Sequence, residues 1–128
     1  MNKFVYKNTN IIESQFNFNK LQESIAFDGE VMLSSTIAVP KNISENKIIV
    51  CILDLSLGHE DDPITLHVKS QSIFEIQELA NKDELHKDAK EKCLPKAGQE
   101  LSERIKEITR LHIGKPISIP IPKDLEGA

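Results

Sequence analysis

Apolar and polar residues alternate through the middle of this chain, and past residue 80 the apolar positions recur at nearly every fourth residue. From Ile64 to Glu78 the residues Ile64, Leu66, Val68, Phe74 and Ile76 fall on one face, the period-two signature of a half-buried strand. Ser70-Gln71-Ser72 interrupts that strand, and a bulge is expected there. Val31, Leu33, Ile37 and Val39 predict an earlier strand over Glu30–Val39, ended by Pro40, which has no ladder donor. The run from Lys47 to Leu57 is apolar on both sides. Ile49, Cys51, Leu53, Leu55 and Leu57 form one row, and Ile48, Val50 and Ile52 the other. Alternation of Phe16 and Phe18 predicts a shorter strand over residues 11–18. Asp28-Gly29, the polar stretch 41–46 and Gly58 to Pro63 supply the turns.

Two helices are expected after the strands. Asn81-Lys82-Asp83-Glu84 has the form of a capping box, opening a charged helix over Lys82–Lys92 with Leu85 and Ala89 inward. Pro95 is expected to stop it and to begin a second helix reaching about His112. Ala97, Leu101, Ile105, Ile108 and Ile113 give that helix its apolar stripe, and Gly114 before Pro116 gives it a C-terminal cap. Ile117, Ile119 and Ile121 alternate with Ser and Pro in a tail expected to lie extended over apolar surface. The pattern as a whole predicts an α+β fold: an antiparallel sheet of about four strands with two helices packed on one face. At 128 residues it is one domain, with residues 1–10 and 123–128 expected as flexible ends.

Composition changes this picture mainly by exclusion. A net charge of -4, with lysines dispersed and Arg104 and Arg110 the only arginines, leaves no basic footprint for nucleic acid. No apolar run approaches the ~18 residues of a membrane span, and the start of the chain has no signal-type apolar core, so no membrane insertion and a cytoplasmic location are expected. Cys51 and Cys93 lie far apart and read as two buried thiols. His59 beside Glu60, Asp61 and Asp62 reads as a solvated acidic turn, because adjacent turn residues rarely converge on one ion. His67, His86 and His112 have no partner at metal-ligand spacing. With no phosphate loop and no nucleophile constellation, neither an enzyme nor a cofactor is expected.

Apolar surface is what remains. Strand 47–57 carries more of it than one helical layer can cover, which points to an oligomer interface, to a groove for extended apolar segments, or to both. A small-molecule site is disfavoured by the size of the chain and by its few aromatic residues.

From Leu66 to Ile76, through Ile73-Phe74, the chain resembles the protein-export chaperone SecB and its shorter SecB-like relatives. Cys93-Leu94-Pro95, the helix carrying Glu100 to Arg110, and Gly114-Lys115-Pro116 through Pro120 follow in the family's order. The resemblance runs from about Phe16 to Pro122. It departs where the family's Leu-Phe-Pro-Tyr-Ala-Arg segment is reduced to Leu94-Pro95-Lys96-Ala97-Gly98, and where a glycine pair is replaced by Gln71-Ser72. The family's docking positions for the SecA motor, a leucine and an acidic residue, correspond to Thr65 and His67, so the resemblance does not carry SecA docking over to this chain.

The resemblance implies an ATP-independent holdase for unfolded or newly made polypeptides, assembled as a dimer of dimers. Its clients would be exported proteins or a dedicated partner such as an antitoxin. Candidate client contacts are Val31, Leu33, Ile37, Ile52, Ile105 and Ile119. Candidate oligomer contacts are Ile48, Val50, Leu101 and Ile108. The alternative is a non-chaperone adaptor that uses the same apolar strand for one fixed partner.

Overall fold

The computed structural model describes residues 2–18, 31–42, 45–58 and 64–114. Four antiparallel strands, β1 (Lys3–Phe18), β2 (Val31–Ala38), β3 (Ile48–Leu57) and β4 (Ile64–Glu78), form one sheet in the order β1-β4-β3-β2. A short 3-10 turn (Lys82–Glu84) then leads into one helix, α1 (Leu85–Ile113). The α+β class and the four-stranded antiparallel sheet are as expected from the sequence. The second helix is not.

Period-two patterning sets the register. Along β3 the residues Ile49, Cys51, Leu53 and Leu55 are fully buried, while Ile48, Val50, Ile52, Asp54 and Ser56 on the opposite face are half-buried. In β4 the buried row is Leu66, Val68, Ser70, Ser72, Phe74 and Ile76. Helix α1 covers this inner face with Leu85, Ala89, Cys93, Ala97, Leu101 and Ile105, all of them buried. Burying each large aliphatic side chain stabilises by about 1.5–3 kcal/mol, so this seam dominates the energetics. Small residues stand on both sides of its centre: Ala89, Cys93 and Ala97 on the helix, and Cys51, Ser70 and Ser72 on the sheet. Without bulk between them, helix and sheet approach closely. The thiols of Cys51 and Cys93 meet there, and their hydrogen bond, together with burial, pushes the Cys93 thiol far above its ordinary range.

Two helices were expected because Pro95 lacks an amide hydrogen and its ring crowds the preceding turn. The chain instead runs straight through it in one helix. The reason is the stripe, which passes unbroken from Leu85 to Ile105 at spacings of four, while Pro95 and Glu91 both stand on the exposed side. The missing bond falls where water can reach the Glu91 carbonyl. Asn81 caps the opening turn, accepting from the Asp83 amide at 3.0 Å, whereas Glu84 makes no reciprocal capping bond. Gly114 ends the helix in the left-handed region at φ 76°, and its amide donates to the Arg110 carbonyl at 2.9 Å.

The sequence also misjudges the first strand. β1 begins at Lys3, so residues 3–10, expected as a flexible end, are half of a 16-residue strand. No bulge interrupts β4 against β3 at Ser70-Gln71-Ser72. The three irregularities lie on the other side of β4: Gln77 is an extra residue in β4 at Lys3/Phe4, and Lys7 and Ile12 are extra residues in β1 at Tyr6/Asn8 and Ile11/Glu13. Ser72 Oγ is 2.7 Å from Thr9 Oγ1 across that seam. Ser70 Oγ is fully buried and has no hydrogen-bond partner among the described residues. The tail 115–128 and the turn at His59–Pro63 lie outside the described residues.

Candidate functional site

At one end of the sheet, β1 begins, β4 ends and α1 completes its first turns. Asn2 ties these three together. Its side-chain amide donates to Asp88 Oδ2 at 2.6 Å and to the Asn81 carbonyl at 3.0 Å, and its side-chain oxygen accepts from the amides of Ala80 and Asn81. Its own backbone amide also points at Asp88. With Asn2 only 2% exposed and Asp88 7%, this is a buried clasp in which each polar group has a partner.

Beside the clasp lies an open groove of about 520 Å³. Phe4 and Tyr6 from β1 and Phe74 from β4 floor it. The chain has only five Phe and one Tyr, so half of its aromatic rings converge here. Tyr6 stands edge-on to Phe74, with centroids 5.5 Å apart and planes at 61°, and Lys96 Nζ sits 5.0 Å from the Tyr6 centroid. Lys3, Lys92 and Lys96 stand around the groove, and no carboxylate is among the described residues that line it.

The polar end of Tyr6 is held with equal care. Its hydroxyl oxygen lies 2.7 Å from Thr9 Oγ1 and 2.9 Å from Glu100 Oε1. One proton serves only one of these, and the carboxylate is the stronger acceptor. Tyr6 therefore donates to Glu100, and Thr9, in contact with Ser72, supplies the other side. Burial is the chief cause that raises the Tyr6 pKa, with the Glu100 carboxylate adding to it, so the phenol stays protonated. Glu100 also holds Lys96 and Arg104, each at 3.7 Å. This fixes the ring's tilt at the groove, with Lys96 over the ring.

Tyr6, Phe4 and Lys92 were not among the sequence candidates. The signal was present: Phe4 and Tyr6 alternate with Val5 and Lys7, and Lys92 and Lys96 are four apart on a helix. Nothing in the sequence places residue 6 beside residue 96.

The sequence candidates are dispersed. Ile105 and Leu101 are fully buried between helix and sheet and belong to the core of the single chain. Ile37 is in that core, and Leu33 and Ile108 pack against it half-buried. Ile52 points the other way, out of the sheet, with Ile48 and Val50. Ile73 stands directly across from Val50, and Ala38 on its other side, giving a short apolar row on the helix-free face. The described client candidates thus sit on two opposite faces and form no single surface. The Val31 side chain and Ile119 lie outside the described residues. Thr65 and His67 also face outward, with His67 Nε2 2.6 Å from Asp54 Oδ1. Among the described residues, no group of three metal-ligating side chains converges, and no helix is long and apolar enough to cross a membrane.

No protein-family model matches the chain, and no curated protein matches it by sequence. Solved structures do. The SecB-like chaperone of Mycobacterium tuberculosis, in complex with a ChAD peptide from the HigA1 antitoxin, superposes with a TM-score of 0.64 over 93% of this chain and 90% of that one. The fold is SecB-like. Identity over that SecB-like match is 15%, so the likeness lies in the order and packing of elements rather than in shared side chains. A protein of unknown function from Streptococcus agalactiae matches at a TM-score of 0.48 and 10% identity, over 94% of this chain and 99% of that one.

Proposed function

We propose that this protein is an ATP-independent chaperone that holds extended segments of unfolded polypeptide, working in the cytoplasm as a dimer of dimers and catalysing no reaction. The observation that carries this reading is the groove floored by Phe4, Tyr6 and Phe74. Phe4 and Tyr6 stay half-buried at an open trough that Phe74 backs from the core, a surface that an apolar segment would finish covering. Binding there is generic burial at about 25 cal/mol per Å², which tolerates many sequences. The SecB-like fold supports the same reading, because the M. tuberculosis SecB-like chaperone holds a peptide from an antitoxin. A dedicated client of that kind is favoured here over export. Thr65 and His67 stand at the outer-face positions where SecA docking would need a leucine and an acid, and His67 is engaged with Asp54. The apolar row of Ile48, Val50, Ile52 and Ile73 is the surface we assign to assembly.

The test is light scattering from a chemically unfolded client diluted into buffer without nucleotide. Suppression of aggregation near one assembly per client supports the holdase reading. No suppression at several-fold excess sinks it and leaves an adaptor with one fixed partner.

A further inference from the structure

The groove also carries a sign. Three lysines, Lys3, Lys92 and Lys96, help to line it in a chain whose net charge is -4, and the described residues lining it include no Asp or Glu. Two of the three are partly neutralised from outside the groove: Lys3 by Glu78 at 3.3 Å and Lys96 by Glu100 at 3.7 Å. Lys92 makes no ion pair among the described residues. Its side chain lies one helical turn before Lys96, on the helix flank that overlooks Phe4 and Tyr6. An apolar trough of this sort discriminates by the charge that enters beside the apolar group, because Coulomb energy near a low-dielectric wall is larger than in open water. A basic flank would meet like charge from both the helix and the start of β1.

From the aromatic floor and cationic border together we infer that the groove selects polypeptide segments in which an aromatic or large aliphatic side chain is flanked by acidic residues. The apolar side chain lies against the half-buried rings of Phe4 and Tyr6, which Phe74 backs from the core, and the flanking carboxylates reach Lys92 and Lys3. This rests on the polypeptide-holding reading above and names its client class. Lys96 plays a different part: it is occupied by the Tyr6 ring and by Glu100, so it orients the floor more than it greets the client.

The experiment uses three fluorescent peptides that share one apolar centre, flanked by two Glu, two Gln or two Lys, titrated with the full-length protein by anisotropy. The acidic peptide is expected to bind about tenfold tighter than the neutral one, the sum of two exposed charge contacts, and the basic peptide more weakly than either. Raising salt from 50 to 500 mM closes most of that gap, because exposed pairs are screened. Lys92→Glu, at an exposed helix position, should bring the ratio of acidic to neutral peptide affinity within the variant to about one, with the thermal midpoint unchanged. Equal binding of all three peptides, or a preference that survives both salt and Lys92→Glu, overturns the inference and leaves the chaperone reading standing. If no peptide binds while aggregation is still suppressed, clients use another surface and the inference fails. A change of assembly size in Lys92→Glu, with peptide binding unaltered, would assign the groove to a second copy of this chain and overturn it equally. Loss of both peptide binding and suppression would remove the chaperone reading itself.

Discussion

Replacing Pro95 by Ala separates one continuous helix from two. In the structure Pro95 lies inside α1 on its exposed side, eleven residues into a helix of 29. Interior Pro is about 3 kcal/mol less favourable than Ala in a helix, through the lost bond to the carbonyl four residues back and the clash with that turn. Part of this is already relieved, since the Glu91 carbonyl can be hydrated and a helix that bends at the ring relaxes the clash. A gain of about 1–3 kcal/mol is therefore expected from Pro95→Ala. With an unfolding entropy of roughly 0.27 kcal/mol/K for a chain this long, the midpoint should rise by about 4–11 °C. Circular dichroism at 222 nm, followed through thermal and urea unfolding, measures it, with a small gain in helical signal expected. If Pro95 instead opened a second helix at its first position, it would be pre-organised there and the Ala variant would be neutral or less stable. That outcome would refute the unbroken stripe from Leu85 to Ile105 as the reason the helix continues.

Ser70→Ala removes a fully buried hydroxyl that has no partner, and should be neutral or stabilise by up to about 1–2 kcal/mol in urea unfolding; a loss above about 1 kcal/mol would mean that the hydroxyl is bonded. Asn2→Ala strips Asp88 and the Ala80–Asn81 amides of their shared partner, and a loss of about 2–4 kcal/mol is expected; a change below about 0.5 kcal/mol would show that the clasp is idle. Because the Cys93 pKa is raised in the folded state above its ordinary value of 9.0, the unfolded chain loses that proton first as pH rises. Stability should hold up to about pH 9 and then fall by up to about 1.4 kcal/mol per pH unit, with Tyr6 adding to the slope above about pH 10. Cys93→Ala should flatten the fall just above pH 9, and parallel curves for both proteins would refute the assignment.

Three of the four strands were legible because each carries a clean period of two between strong turn signals. Ile64–Glu78 and Lys47–Leu57 lie within a residue of β4 and β3. β1 was half missed because its inner row is diluted. Lys7 and Ile12 are extra residues that shift the parity of the row, so Phe4, Tyr6, Thr9 and Ile11 keep no single period. Pro95 was misread for a different reason: a local rule about one ring was weighed above a stripe of six buried side chains. The groove was invisible because it joins residues 2–6, 74–77 and 92–96, and no spacing rule connects them. The apolar candidates on β3 were sound as to character, but a pattern of two apolar faces cannot say which face the helix takes. The structure gives α1 the face of Ile49, Cys51 and Leu53, and leaves Ile48, Val50 and Ile52 outside.

The strand order has a kinetic consequence. β2, β3 and β4 are sequence neighbours joined edge to edge, a meander that can zip up locally as the chain is made. β1 is synthesised first, yet its only ladder partner among the described residues is β4, and Asn2 waits for Asp88, 86 residues downstream. Closing that long loop is the slow, entropically costly step of the topology, so β1 docks last. The groove is made from β1, the end of β4 and the early turns of α1, so it does not exist until Lys96 has left the ribosome and β1 has come home. In native-state amide exchange, Phe4 to Tyr6 should open at lower free energy than Ile49 to Leu55, and peptide capture should be lost on warming before the meander melts.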